Sequence, residues 1–119
     1  MAPDSQGTKD NRGYGRVKVT NLHCRLGEVT DLSARGLGIV GTGKPDLAVG
    51  DVSVMSLECH INDEQISAWV MCVNRTVISR RKVRYGLRII DKTKETRDKL
   101  TRLMSLTRKD GMQFFLDAA

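Results

Sequence analysis

Val52-Ser-Val-Met-Ser-Leu-Glu-Cys59, then Asn62-Asp-Glu64, then Ile66-Ser-Ala-Trp-Val-Met-Cys-Val73 is the stretch whose reading decides the fold. In both flanks apolar residues alternate with polar or small ones, the period of a strand with one buried face. Asn62-Asp63-Glu64 supplies residues that tolerate a tight turn, so the stretch reads as a β-hairpin. Trp69 falls inside it and, as the one tryptophan of a small β-protein, is expected in the core.

Working outward, the same period recurs. Val17 and Val19 alternate with Lys18 and Thr20, Leu26 to Leu32 follows a turn near Arg25 to Gly27, and Leu37 to Val40 is entered through Gly36. Gly41-Thr-Gly-Lys-Pro-Asp46 reads as a loop, and Leu47 and Val49 lead into a turn at Gly50-Asp51. Beyond the hairpin, Asn74 to Lys82 is basic and polar and reads as a long connection before alternation resumes over Val83 to Ile90. That makes six strands, sequential and antiparallel because the connections are short. After Asp91 the period becomes helical, with Leu100, Leu103, Met104 and Leu106 on one stripe, Asp91 or Thr93 as N-cap and Gly111 as terminator. A single terminal helix of this kind is expected to pack across a barrel mouth.

The chain of 119 residues, 39% of them hydrophobic, supports one modest core. Residues 1–11 carry almost nothing apolar after Ala2 and are expected to form a flexible N-terminal arm. Residues 12–107 hold the barrel and helix, and 108–119 form a tail whose Met112 to Leu116 is apolar enough to pack on the barrel or on a partner.

A net charge of +6 favours an anionic partner. Two Phe, two Tyr and one Trp are too few for the stacked-base surface of a single-strand binder, which argues against nucleic acid. Cys24, Cys59 and Cys72 form no Cys-x-x-Cys pair, and no apolar run could insert into a bilayer, so a reduced, cytoplasmic protein is expected.

His23-Cys24 and Cys59-His60 hold metal-ligand types, but adjacent residues of a strand point to opposite faces, so no metal is expected. Nor is an enzyme: Ser33 has no base in sequence reach, no Gly-x-Ser-x-Gly elbow is present, and Asp63-Glu64 belongs to a turn. Gly36, Gly38, Gly41 and Gly43 lack the Gly-Lys-Ser/Thr of a phosphate loop. Arg80-Arg-Lys-Val-Arg84 is a basic patch that is more often simply solvated.

Two polar groups remain. In Arg12-Gly-Tyr-Gly-Arg16 the arginines are four apart and share a face of an extended chain; in Asp31-Leu-Ser-Ala-Arg-Gly36, Asp31 and Ser33 are two apart and would share one also. A guanidinium fork donates to a phosphate or to the O6/N7 edge of guanine. A carboxylate accepts from the N1–H and amino donors of the same base. Together they suit a guanine nucleotide; taken singly, each reads as a capped turn and a solvated arm.

In this order and spacing the two groups resemble the PilZ family, whose signature is Arg-x-x-x-Arg followed, one strand later, by Asp/Asn-x-Ser-x-x-Gly. The likeness extends through Gly36-Leu-Gly-Ile39, Ala68-Trp-Val-Met-Cys-Val73, Tyr85-Gly-Leu-Arg-Ile89 and the closing helix. It implies an all-β fold, a six-stranded antiparallel PilZ-type barrel with a C-terminal α-helix, and a bacterial receptor for cyclic di-GMP that needs no cofactor. By the resemblance, Arg12 and Arg16 grip guanine and phosphates, Asp31 and Ser33 hold the guanine edge, Gly36 makes the turn, and Arg35 adds a phosphate contact. The expected mechanism is an arm that orders over the ligand and so signals to a downstream protein partner. The alternatives are a basic β-barrel that binds nucleic acid and a ligand-independent interaction module.

Overall fold

The computed structural model describes residues 16–108. Arg12, the 1–11 arm, Gly111 and the Met112 to Leu116 tail lie outside the described residues. Seven strands, β1 (Val17–Lys18), β2 (Leu22–Cys24), β3 (Gly27–Leu32), β4 (Gly36–Gly41), β5 (Val52–Cys59), β6 (Gln65–Ser79) and β7 (Lys82–Ile89), precede one helix, α1 (Lys94–Thr107). Every pairing is antiparallel, and β3, β2, β5, β6, β7 and β4 hydrogen-bond in that order, with β4 returning to β3. The result is the expected closed barrel of six strands with a helix after them, β1 lying beside β2 on the same flank of β3.

The inward faces follow directly from the alternation. Met55, Leu57 and Cys59 of β5, Ile66, Ala68, Val70 and Cys72 of β6, and Val83, Tyr85, Leu87 and Ile89 of β7 are all buried. Trp69 stands on the opposite phase and is 51% exposed, across from the exposed Val54. The core position expected for it is therefore corrected: pleat direction outranks the hydrophobicity of one residue. β2 was not anticipated, because three residues between Asn21 and Arg25 are too short to show a period. Yet it is β2, through Leu22↔Cys59 and His23↔Glu58, that joins β3 to β5 and closes the ring. Asn21, with φ of 63°, breaks what would otherwise be one continuous strand with β1.

The expected connection at Asn74 to Lys82 is instead mostly strand. β6 runs on to Ser79 and pairs with β7 from Asn74↔Gly86 to Ser79↔Lys82. All its side chains from Val73 to Ser79 are exposed, so the segment lacks the burial alternation that would mark it in sequence. Its backbone ladder and the β-branched Thr76, Val77 and Ile78 suffice to form it.

The loop between β4 and β5 is lashed to this ribbon by Asp46, whose carboxylate accepts from Arg75 Nε and Nη2, both at 3.0 Å, and from the Tyr85 hydroxyl at 2.6 Å. The Arg75 hydrogen bonds, then that of Tyr85, hold the Asp46 carboxyl down to about 2, while burial and the neighbouring carboxylate push the Tyr85 phenol up to about 12.

The helix starts at Thr93, the N-cap, whose Oγ accepts from Thr96 N at 3.3 Å. Leu100 and Leu103 are buried, and Leu100 packs at the barrel end lined by Leu37, Leu57, Ile66 and Ile89. Leu106, expected on the same stripe, is exposed. Thr20 N donates to Thr107 O at 2.9 Å, and Val19 bridges Arg108, so the last turn is fastened beside β1.

Candidate ligand-binding site

The placement of Asp31 depends on a β-bulge. Val29 pairs with Ile39 and Asp31 with Gly38, which leaves Thr30 as an extra residue in β3. Strict alternation would send Val29 and Asp31 to the same, inner face. With the bulge the phase is reset: Val29 and Leu32 are both buried in the core, and Asp31 is left partly exposed between them. Gly38 completes the arrangement, since a Cβ there would lie 2.5 Å from Asp31 Oδ2. The carboxylate rests where a side chain of the neighbouring strand would otherwise be.

Arg16 immediately precedes β1, which pairs with β3 through Val17↔Leu32 and Lys18↔Asp31. That register brings Arg16 Nε to 3.3 Å from Asp31 Oδ1. The two charges form an ion pair without the alignment of a hydrogen bond, and Oδ1, although buried, accepts none from the described residues. Oδ2 is 3.3 Å from the Thr30 hydroxyl, for which Gly38 O is an alternative acceptor at the same distance.

Ser33 lies past the end of β3, so the shared face expected for Asp31 and Ser33 on an extended chain does not arise. Its hydroxyl turns into its own loop: Oγ accepts from Arg35 N at 3.1 Å and Gly36 N at 3.2 Å, and donates to Gly36 O at 3.3 Å. It shapes the turn that follows Asp31. Gly36 sits where a Cβ would meet the Leu87 carbonyl oxygen at 2.5 Å, so only a glycine lets β4 lie against β7 there. Arg35 is exposed, and its carbonyl accepts from Ile89 N at 2.8 Å. Of the sequence-derived residues, Arg16, Asp31, Ser33, Arg35 and Gly36 are thus held at one edge of the barrel; Arg12 lies outside the described residues.

Beside that turn is a cleft of about 390 Å³ to which Arg35 contributes together with Arg88, Lys92, Arg97 and Asp91. Arg88 enters because it pairs across from Gly36. Lys92 and Arg97 enter because the chain leaves β7 and turns into α1 beside the loop. Sequence reading did not single these three out: they come from three segments, and only the Gly36↔Arg88 register brings them to the motif. Elsewhere, the His23 and His60 rings meet edge to face with centroids 4.6 Å apart, and among the described residues no three His, Cys, Asp or Glu gather as a metal site would require. No helix among them is long and apolar enough to cross a membrane.

A family model described as PilZ domain matches residues 11–106. A comparison with curated proteins gave no match. Among solved structures, the PilZ domain with c-di-GMP of YcgR from Escherichia coli aligns over 77% of this chain and 87% of that one, with a TM-score of 0.63 at 13% sequence identity. At that identity the likeness concerns the fold.

Proposed function

This chain belongs to the PilZ domain family, and we propose that it is a cyclic di-GMP receptor, a binding module rather than an enzyme, that reads guanine at Asp31. The observation that carries the reading is the buried Asp31 Oδ1, which has no hydrogen-bond donor among the described residues although it lies 3.3 Å from Arg16 Nε. A buried carboxylate oxygen without a donor is costly. The N1–H and amino group of guanine would satisfy it, and Arg16 is placed to turn from Asp31 to the acceptor edge of the base or to a phosphate. The bound dinucleotide in the structurally similar YcgR domain supports the same ligand class.

In this reading Arg12 acts with Arg16, and the segment that carries them closes over the ligand. Ser33 and Gly36 set the turn beside the base, and closure presents a new surface to a protein partner in the cytoplasm. Calorimetric titration with cyclic di-GMP tests it. Arg16→Ala and Asp31→Ala should each weaken binding at least about tenfold, the scale of one charge-assisted hydrogen bond. Arg81→Ala, in the exposed turn after β6, should leave binding unchanged. Equal affinity in all three variants would rule the site out.

A further inference from the structure

The cleft between the β3–β4 turn and the start of α1 gathers charge of one sign. Arg35, Arg88, Lys92 and Arg97 all line it, and none of the four forms an ion pair among the described residues. The carboxylate present, Asp91, is already engaged: Oδ1 accepts from Thr93 N at 3.1 Å and Oδ2 from the Thr96 hydroxyl at 3.1 Å, as part of the helix cap. Those bonds, the Thr93 amide first, hold its carboxyl below the usual range, so it serves the helix start. Four cations around one concavity repel each other, and a bound anion relieves that repulsion.

The volume of about 390 Å³ suits part of a nucleotide-sized ligand. The position is equally specific. Arg35 belongs to the turn that follows Asp31, and Arg88 is the cross-strand partner of Gly36. A ligand whose base edge meets Asp31 therefore has the cleft beside it, separated only by the Ser33–Gly36 turn.

We propose that this cleft receives the phosphodiester groups of the dinucleotide, so that Arg88 and Arg97 are ligand-binding residues alongside the arginines of the N-terminal motif. The inference rests on the receptor reading above. Both side chains are exposed, so replacing them leaves the core intact. The experiment compares cyclic di-GMP affinity in the wild-type chain, Asp31→Ala, and Arg88→Gln/Arg97→Gln, with melting temperatures measured alongside. In the wild-type chain the Nε–Hε NMR resonances of Arg88 and Arg97 are followed through the titration.

The expected result is that both resonances shift on titration and that the double variant loses about 10- to 100-fold in affinity at unchanged melting temperature, on the scale of one to two charge-assisted contacts. Wild-type affinity in the double variant, with Asp31→Ala weakened, overturns the inference and leaves the receptor reading standing. No binding of cyclic di-GMP by the wild-type chain overturns both.

Discussion

Gly38→Ala separates the site from the scaffold with one methyl group. A Cβ at this position would lie 2.5 Å from Asp31 Oδ2, and its nearest other neighbours are atoms of the same carboxylate. To reach an ordinary contact the carboxylate has to retreat by about 1 Å, which stretches a charge-assisted hydrogen bond of about 2.8 Å beyond its useful range. Losing one such bond to the ligand costs about 1.5–3 kcal/mol, or roughly 10- to 150-fold in affinity. The fold should barely respond, because what moves is the end of a flexible, partly exposed side chain; a change within about 0.5 kcal/mol is expected. Gly36→Ala is the control with the opposite balance: its Cβ would meet the Leu87 carbonyl oxygen at 2.5 Å, and that oxygen belongs to the β7 backbone. Forcing β4 from β7 should cost about 1–3 kcal/mol of stability. Calorimetric titration with cyclic di-GMP and thermal melts on both variants make the comparison. Wild-type affinity in Gly38→Ala would refute the role of Asp31, and a melting temperature lowered as far as in Gly36→Ala would refute the claim that the methyl acts on the carboxylate alone.

Acid should expose the Asp46 tie: with its carboxyl held at about 2 in the fold, the stabilisation is complete above the ordinary carboxylate value and is lost as pH falls towards 2. The stability gap between wild type and Asp46→Asn, from urea unfolding, should therefore narrow from pH 5 to pH 2.5, and a gap independent of pH would contradict it. At the other end the sign is reversed: Tyr85, raised to about 12, contributes stability that is present below the ordinary tyrosine value and disappears as pH rises through 12, so Tyr85→Phe should flatten the alkaline limb of the unfolding curve. Thr93→Ala removes the N-cap of α1 and should cost about 1 kcal/mol in denaturant unfolding. Because Thr20 N donates to Thr107 O beside β1, ligand closure at Arg16 should slow hydrogen exchange at the Thr20 amide more than at the Gly50 amide, which donates to Cys72 O from the loop between β4 and β5, and equal changes would uncouple the two.

How much of this was legible in the sequence depended on whether a residue's environment is written in its near neighbours. β5, the first half of β6 and β7 were, since each buries one face and each carries the period of two through Val54 to Leu57, Ile66 to Val70 and Val83 to Leu87. The second half of β6 was not, because exposure on both faces leaves no period to read. β2 was too short to show one. Arg16 and the Asp31 to Gly36 turn were legible as chemistry, two spaced groups of complementary donors and acceptors. Their geometry was not: the direction of Asp31 is set by Thr30, and nothing in Val29-Thr-Asp-Leu32 announces a bulge. Arg88, Lys92 and Arg97 were invisible for a different reason, since their proximity to Arg35 is a product of strand register and of where the helix begins.

The bulge also ties the site to the barrel's closure. Thr30, displaced from the β3–β4 ladder, offers its carbonyl to Val19 N at 3.1 Å. Val19 in turn bridges Arg108, just past the end of α1, and the next residue, Thr20, holds Thr107. The residue that turns Asp31 towards solvent is therefore the same one that anchors the short strand leading from Arg16 to the last turn of the helix. A change at the Arg16–Asp31 pair, the contact a guanine ligand would have to rearrange, acts on β1 directly. Between that pair and the helix end stand only Val17 to Thr20, fixed by backbone hydrogen bonds on both sides. The connection runs along the backbone hydrogen bonds of these four residues, so it does not depend on repacking the barrel core.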